Sequence, residues 1–340
     1  MALLFVDGFD SYANTTDFYR NWIQGTLNVT VLPTGGRRGG GAVRFASAGY
    51  ETPRVFNTTS SFVFGTAVYS NITGITDVLY FEDIDGVIQL SIRLNPVSGL
   101  IYLYRGTSTL LATSSVVPAF LNTWGYLEIK ATISTSISAN SCIIRWNGIE
   151  IINLAAGTST QASAKSSVSK LAPVYTHIID DLYMCDQSGT TNNNFLGDCR
   201  IDVVRPSADG TYTQGTPSTG TSHYQTVDET TPSTTDYVSL PVTTTPLRDS
   251  YQLSDISLIS TYSVYGVQAT ALVTKPDSGV ARSAAPFIRA NGVNVDGTPV
   301  VLGTSYVNIF SVADTVPGTS AAWTFSDVNA LEAGVVAAPV

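Results

Sequence analysis

The chain has 340 residues, a length that fits one large domain or two ordinary ones. Hydrophobic residues make up 44% of it and charged residues only 13%, about half the usual share, so Ser, Thr and Asn supply most of the polar surface. A net charge of −9 repels phosphate backbones and argues against nucleic-acid binding. No stretch reaches the roughly 18 to 20 apolar residues that span a bilayer.

The amino-terminal stretch MALLFVDGFD begins apolar but carries no basic residue, and Asp7 interrupts it early. A secretory signal peptide has a basic start followed by a longer apolar run. We therefore expect synthesis in a cytoplasm without export and no membrane insertion.

Short runs of Val, Ile, Thr, Tyr and Phe, separated by Gly, Asn, Asp and Pro, predict strands along most of the chain. The first clear run is SSFVFGTAVYS, residues 60–70. A longer stretch then alternates, and the residues predicted to share one face are Ile88, Leu90, Ile92 and Leu94. After the turn NPVSG, the alternation continues with Leu100, Tyr102 and Tyr104.

The stretch CIIRWNGIEIINL predicts a β-hairpin. Asn147-Gly148 lies between two apolar runs and is the preferred pair for a two-residue type I′ turn. Trp146 directly precedes this turn, so an exposed ring near the hairpin tip is one interpretation for it.

The stretch DDLYMCDQSGTTNNNFLGDCR, residues 180–200, predicts the junction of two domains. THIIDDLYMCD reads as a closing strand, QSGTTNNNFLGD as a polar bridge, and CRIDVVRP as the first strand of the next domain. We therefore expect domains at residues 1–190 and 191–340.

Within the second domain, residues 207–250 have the composition of a linker but contain regularly spaced tyrosines, which disordered linkers lack. We expect an ordered, irregular segment there. Strand patterns follow, and WTFSDVNALEAGV predicts a short helix over residues 327–333, capped by Ser326 and ended by Gly334. The predicted fold is all-β, with two β-sandwich or jelly-roll domains and one short helix near the carboxyl terminus.

The three cysteines are Cys142, Cys185 and Cys199. An odd number without a CxxC pair argues against a disulfide framework and against a zinc site. Buried or half-buried thiols are the favoured interpretation. A disulfide and a metal site, with His177 as a further ligand, remain alternatives.

No catalytic constellation stands out, and we expect no enzyme activity and no cofactor. The stretch YFEDIDG places Asp83 and Asp85 in a turn, where a solvated acidic loop is the simplest interpretation. Calcium ligation by these two carboxylates is a weaker alternative and catalysis a third. A serine-histidine mechanism is disfavoured because the chain has only two histidines and no GxSxG turn.

Aromatic side chains on loops are the sequence features that best suit sugar or partner binding. The candidates for such contacts are Tyr50, Trp146, Tyr212 and Tyr224. For each of them taken alone, a place in the core or in an interface is the favoured interpretation.

Several stretches together carry a resemblance to known proteins. The start, LLFVDGFDSYAN followed by GGRRGGGAVRF, together with IIDDLYMCD, resembles a concanavalin A-like (laminin-G-like) jelly-roll domain. The junction and the tail, GVQATALVTKPDSGVARSAAPFIRANG and AWTFSDVNALEAGV, resemble a group of tailed-bacteriophage virion proteins. The resemblance covers nearly the whole chain.

This resemblance implies a structural, surface-exposed virion component, tail- or fibre-associated, that assembles with other virion proteins and with copies of itself. A capsid decoration protein and an adhesin for a glycan on the host surface are the alternatives. Under this interpretation one of Asp180 and Asp181 hydrogen-bonds the GGRRGGG loop or Arg37 and Arg38, with divalent-cation binding as the alternative.

Overall fold

A computed structural model describes residues 2–22, 29–45, 54–115, 117, 119–174, 177–241, 245–256 and 262–339. The chain divides into two compact units, Met1–Ile201 and Asp202–Val340. Both are built from antiparallel β-sheets, which confirms the predicted all-β sandwich class. No helix in these ranges is long and apolar enough to cross a membrane.

The first unit begins with a strand and a short helix and then consists of strands. Its elements are β1 (Leu3–Asp7), α1 (Thr15–Tyr19), β2 (Val29–Leu32), β3 (Ala42–Phe45), β4 (Arg54–Thr59), β5 (Ser61–Tyr69), β6 (Thr76–Glu82), β7 (Ile88–Asn95), β8 (Leu100–Arg105), β9 (Thr109–Thr113), β10 (Trp124–Thr132), β11 (Cys142–Trp146), β12 (Ile149–Asn153), β13 (Val168–Pro173) and β14 (Ile178–Asp186).

Two sheets of the first unit enclose its core. The larger sheet has the order β12-β11-β10-β5-β14-β3-β2, with β1 also paired to β14, and the six-stranded sheet has the order β4-β13-β6-β7-β8-β9. Phe81 of the six-stranded sheet lies between Phe62 and Phe64 of the larger one, with ring centroids 4.7 and 5.5 Å apart. All three rings are fully buried, so aromatic contacts join the two layers.

Helix α1 is absent from the sequence prediction. Asn14 caps it, and its side-chain oxygen accepts hydrogen bonds from the backbone N–H groups of Thr16 and Asp17. Phe18 is fully buried and stacks on Trp22 at 5.4 Å. With only five residues, the helix shows no apolar periodicity that a sequence pattern could reveal.

The predicted hairpin is confirmed. Strands β11 and β12 are joined by Asn147 and Gly148, whose φ angles of 49° and 79° are the positive values that a type I′ turn requires. The Asn147 side chain also accepts a hydrogen bond of 2.7 Å from the backbone of Tyr126, which ties the turn to strand β10.

The second unit has its own sheets. Its elements are β15 (Pro206–Thr213), β16 (Thr216–Pro217), a 3₁₀ helix (Tyr224–Thr226), β17 (Val238–Ser239), β18 (Leu247–Leu253), β19 (Val267–Val273), β20 (Arg282–Ala290), β21 (Val293–Asp296), β22 (Val300–Val301), β23 (Val307–Ala313), α2 (Phe325–Ala330) and β24 (Glu332–Pro339). The main sheet has the order β15-β18-β24-β20-β21, with β22 also paired to β20, and β19 pairs with β23.

The main sheet of the second unit packs apolar side chains on both faces. On one face, Ile288 and Ala290 belong to a buried cluster with Trp323 and Val328. On the other face, Phe287 packs with neighbours that include Tyr212. Three residues of the WTFSDVNALEAGV stretch, Trp323, Val328 and Leu331, therefore belong to the buried core of this unit.

Two local predictions in this half of the chain are wrong. Helix α2 begins earlier than expected, because Thr324 and Asp327 form a capping box, and Gly334 lies inside strand β24 instead of ending the helix. Residues 199–205 form no strand, and the first strand of the second unit begins at Pro206.

Residues 207–250 combine regular and irregular structure in the part that is described. They include most of β15, the short pair β16–β17, the 3₁₀ helix and the start of β18. Buried Asp249 holds the irregular part, since its carboxylate lies 3.0 Å from His223 Nδ1 and accepts a bond from the backbone of Gly215.

Gly125 of β10 provides a test of the packing in the first unit. A Cβ atom at this position would lie 1.9 Å from Trp146 Cζ2, so Gly125→Ala must displace the buried indole. We expect the free energy of unfolding, measured by urea denaturation, to fall by about 1–3 kcal/mol. The control is Gly74→Ala, which meets no atom within 4 Å and should leave stability unchanged or slightly higher. Equal effects of the two substitutions would contradict this packing.

Candidate functional site

The outer face of the six-stranded sheet in the first unit gathers polar and aromatic side chains. On strands β7 and β8, the core-facing residues are the fully buried Leu90, Ile92, Leu94, Ile101 and Leu103. The residues between them point to the other side of the sheet. There Asp77 of β6 lies opposite Arg93 of β7, which lies opposite Tyr102 of β8. We call Asp77, Arg93, Tyr102 and Tyr104 the Arg93 patch.

The guanidinium of Arg93 is held from three directions. Its Nε donates to Asp77 Oδ1 at 2.7 Å, and its Nη2 donates to the backbone oxygen of Thr107 at 2.6 Å. Its Cζ lies 4.1 Å from the centre of the Tyr104 ring. Burial lowers the pKa of Arg93, but the hydrogen bond and charge of Asp77 raise it above its usual value. Arg93 is therefore a fixed cation.

The patch offers two kinds of contact to a ligand. The Arg93 side chain is 23% exposed and the Asp77 side chain 10%, so the guanidinium is the more accessible polar group. Tyr102 and Tyr104 are half-buried, so each presents part of its surface to solvent. Fixed polar groups beside aromatic rings can hydrogen-bond hydroxyl groups and pack against an apolar face of the same molecule.

Sequence reasoning missed this patch because it assigned the wrong phase to strand β8. The sequence LIYLYR is apolar at almost every position, so alternation alone does not tell which residues face the core. Ile101 and Leu103 are the buried set, which leaves Tyr102 and Tyr104 outside. Ile88 also differs from its predicted face, since it packs on the cluster of Tyr80, Ala172 and Val174 after a register shift.

Trp146, a predicted binding residue, is buried. Its exposed fraction is only 3%, its ring centroid lies 4.5 Å from that of Phe120, and the indole covers Gly125. The core interpretation is confirmed and the exposed binding contact is wrong for this residue, because strand β11 directs its side chain toward the core beside Leu127 and Ile144.

Two of the other three predicted aromatic contacts lie within the described residues, and both belong to the second unit. Tyr50 lies outside the described residues. Tyr212 is half-buried in the second unit, with its ring edge-on to Phe287 at 6.1 Å and its hydroxyl bonded to Asn294. Tyr224 is half-buried at the start of the 3₁₀ helix. Tyr212 thus covers part of a core cluster.

Asp83 and Asp85 occupy different environments in the turn between β6 and β7. Asp83 is fully buried and accepts hydrogen bonds from the backbone of Asp85 and Val87 and from the side chains of Gln89 and Ser163. Burial raises the pKa of Asp83, but these hydrogen bonds, led by that from Ser163, lower it below its usual value. The expected solvated position is wrong for Asp83, whereas Asp85, the other of the two aspartates, is exposed.

Asp180 and Asp181 hold the GGRRGGG loop, as the resemblance implied. Asp180 Oδ2 accepts a hydrogen bond of 2.8 Å from the backbone N–H of Arg37, and Asp181 Oδ2 lies 3.8 Å from Arg38 Nε. The two aspartates lie at a bulge of β14, where Asp181 has a φ of 49°. Asp181 Oδ1 also accepts from the backbone of Ile201 at 2.8 Å.

The polar bridge returns across the outer face of the larger sheet. The hydroxyl of Tyr183 donates to buried Glu128 at 2.6 Å, and the same carboxylate oxygen accepts from the backbone of Gly197 at 2.9 Å. Arg145 lies over the ring of Phe195 at 4.1 Å. Residues 195–201 are therefore bound to the first unit by charged and aromatic contacts.

All three cysteines are free thiols. Burial raises the pKa of Cys142 to about 12, and burial together with the charge of Glu128 raises the pKa of Cys199 to about 12. Both thiols stay protonated at neutral pH and are poor nucleophiles. Across the described ranges, no three His, Cys, Asp or Glu side chains are grouped so that they could hold a metal ion.

No protein-family model and no curated protein matches the chain. Solved structures with a similar fold include the carbohydrate binding module CBM66 from Bacillus subtilis, with 14% identity, a TM-score of 0.34, and coverage of 49% of this chain and 96% of that one. Domain 4 of AbnA, an arabinanase from Geobacillus stearothermophilus, has 16% identity, a TM-score of 0.36, and coverage of 54% and 93%. A tetrameric galectin from the ball sponge Cinachyrella sp. has 15% identity, a TM-score of 0.30, and coverage of 40% and 99%. Similarities this low do not indicate a ligand for this chain.

The buried aspartates of β14 predict a pH dependence of stability. Burial and the charge of Asp181 raise the pKa of Asp180 to about 7, and burial raises the pKa of Asp181 to about 6. The unfolded chain, with a pKa near 3.8, stays ionised at these pH values. The folded protein therefore binds the extra proton as the pH falls from 8 to 6.5, and the two aspartates contribute about 1 kcal/mol of added stability over this range.

Asp180→Asn isolates this effect, because asparagine keeps an acceptor for Arg37 but does not titrate. Burial lowers the pKa of His177 from 6.5 to about 4, so the unfolded chain binds a proton there between pH 8 and 6.5 while the folded protein does not, which opposes part of the gain. His177 is present in both proteins, so its contribution cancels in their difference. Urea denaturation should show wild type gaining about 1 kcal/mol over the variant between pH 8 and 6.5. A constant difference would show that Asp180 is ionised throughout.

Proposed function

We propose that the first unit is a glycan-binding module and that the Arg93 patch is its binding surface. The observation that carries this proposal is the guanidinium of Arg93, fixed by Asp77, placed over the ring of Tyr104 and directly opposite half-buried Tyr102. Sugars have hydroxyl groups in a fixed arrangement and an apolar ring face. A preorganised cation beside an aromatic ring suits both features without first ordering its own side chains. The biological ligand in this proposal is a glycan on a bacterial surface.

Binding without hydrolysis is the chemistry that we propose for this patch. Glycoside hydrolysis commonly uses two carboxylates on either side of the scissile bond. The Arg93 patch contributes Asp77, whose Oδ1 accepts the hydrogen bond from Arg93 Nε and whose side chain is only 10% exposed. This carboxylate positions the guanidinium, and we assign it no proton-transfer role.

A structural role in a bacteriophage virion is the second candidate, and it is compatible with glycan binding. It is supported by the resemblance of the junction and tail sequences and by exposed valines along one edge of the second unit. In this role the protein is tail- or fibre-associated, or decorates the capsid, and it contacts other virion proteins and copies of itself. Antibody labelling of intact particles tests it: label on the tail, the fibres or the head supports the role, and unlabelled particles argue against it.

Glycan binding is tested first on an array of bacterial polysaccharides, with and without calcium, and then by calorimetry with an oligosaccharide from the best hit. Tyr102→Ala removes the ring and should weaken binding by about tenfold, which corresponds to about 1.4 kcal/mol. Tyr102→Phe keeps the ring and should retain most of the affinity. Arg93→Gln removes the cation and should weaken binding at least as much as Tyr102→Ala.

Tyr237→Ala serves as the control, because this tyrosine is 48% exposed but belongs to the second unit. It should leave the affinity unchanged. An array without hits, or a hit whose affinity survives both Tyr102→Ala and Arg93→Gln, would contradict the proposed site.

A further inference from the structure

Exposed valines line one edge of the main sheet in the second unit. Val293 and Val295 of β21 are 42% and 36% exposed, and Val300 and Val301 of β22 are 38% and 62% exposed. Both strands pair with β20, and no described strand pairs with their other side. An unpaired edge with apolar side chains is a surface to which another strand can add.

Strand β21 is the regular part of this edge. It pairs with β20 without a bulge, and Val295 lies opposite Ile288 while Val293 lies opposite Ala290. Ile288 and Ala290 belong to the buried cluster on one face of the sheet, so both valines point to that side. Asn294 and Asp296 point to the other side.

The edge of β21 presents little net charge. Its one carboxylate, Asp296, accepts two hydrogen bonds from the guanidinium of Arg248, at 2.7 and 2.6 Å. Lysine or proline within the strand, which often protect sheet edges, are absent from β21. Pro299 follows in the connection to β22, which limits regular pairing to the residues of β21.

We propose that two copies of this protein associate by antiparallel pairing of their β21 strands, about a two-fold axis at Asn294. This register places Val293 opposite Val295 of the second copy, and Val295 opposite Val293 of the second copy. Asn294 lies opposite its own equivalent, and Asp296 lies opposite Gly292. Four valines then form a continuous apolar strip on one face, and no carboxylate faces another.

A second copy is the occupant that fits this edge best, because the two-fold register places exposed valines opposite exposed valines and opposes no like charges. The whole chain carries a net charge of −9, so two copies repel each other over most of their surfaces. They can approach most closely where the carboxylate is already neutralised and the remaining side chains are uncharged. Isologous two-fold contacts are also the commonest form of self-association.

The proposal is tested by sedimentation equilibrium with a pair of double variants at Val293 and Val295. Directly opposed residues in this register have Cβ atoms about 5 Å apart. Val293→Lys with Val295→Lys places like charges opposite each other twice and should raise the dimer dissociation constant at least about tenfold. Val293→Lys with Val295→Glu places opposite charges together twice and should associate more tightly than the double lysine variant.

Ser207→Lys with Thr213→Lys is the matched control, because it adds the same two charges to exposed positions on β15, the opposite edge of the same sheet. It should leave the dissociation constant near that of wild type, and circular dichroism should show every variant folded. Three outcomes would overturn the proposal: a monomeric wild type at up to about 100 μM, association that survives the double lysine variant, or equal weakening by both β21 variants. No ligand is present in these measurements, so their outcome is independent of glycan binding.

Discussion

The bulge at Asp180 and Asp181 is the constraint on which the arrangement of the first unit most depends. Strand β14 lies inside the larger sheet, where it pairs with β1, β3 and β5. At the bulge its backbone oxygens accept hydrogen bonds from Thr66 and Tyr126, while the two carboxylates bind the loop around Arg37 and the backbone of Ile201. One irregular site thus links a sheet, a glycine-rich loop and the end of the unit.

Buried carboxylates are costly unless hydrogen bonds and opposite charges compensate for the lost hydration. Three of the buried carboxylates in this unit bind irregular chain to a sheet. Asp83 holds the turn between β6 and β7, Asp180 holds the glycine-rich loop, and Glu128 holds residue Gly197. The same use of a carboxylate recurs in the second unit, where Asp249 holds Gly215 and His223.

The Arg93 patch depends on how three neighbouring strands pair. Strands β6, β7 and β8 run side by side, and a register shift between Asp77 and Leu79 places Asp77 opposite Arg93, which lies opposite Tyr102. The aliphatic residues that alternate with Arg93 and Tyr102 along β7 and β8 point into the core, so the polar and aromatic side chains point to the outer face. A rigid sheet can therefore present a prepared binding surface at little entropic cost. In the second unit, the regular register of β21 similarly leaves its valines on one side of a sheet edge.

The sequence alone determined the class of the fold and several local structures. Apolar alternation and turn residues predicted strands, and Asn147-Gly148 predicted the type I′ hairpin, because these signals act over a few neighbouring residues. The loop contact of Asp180 followed from a resemblance spanning residues 143 positions apart, which no local pattern contains. Helix α1 was missed because a helix of five residues carries little periodic signal. The cap of α2 was placed at Ser326, although Thr324 and Asp327 have the spacing of a capping box.

Only the tertiary structure decided which side of each strand faces the core. In LIYLYR both alternating sets are apolar, and the neighbouring strands, through the register of β7 with β8, select Ile101 and Leu103 for burial. Strand pairing likewise buries Trp146, and on strand β8 it leaves Tyr102 on the outer face opposite Arg93. The candidate site is formed by three strands, so it depends on pairing between segments that are distant in the sequence. Patterns within one strand cannot predict it, because no single strand contains the whole site.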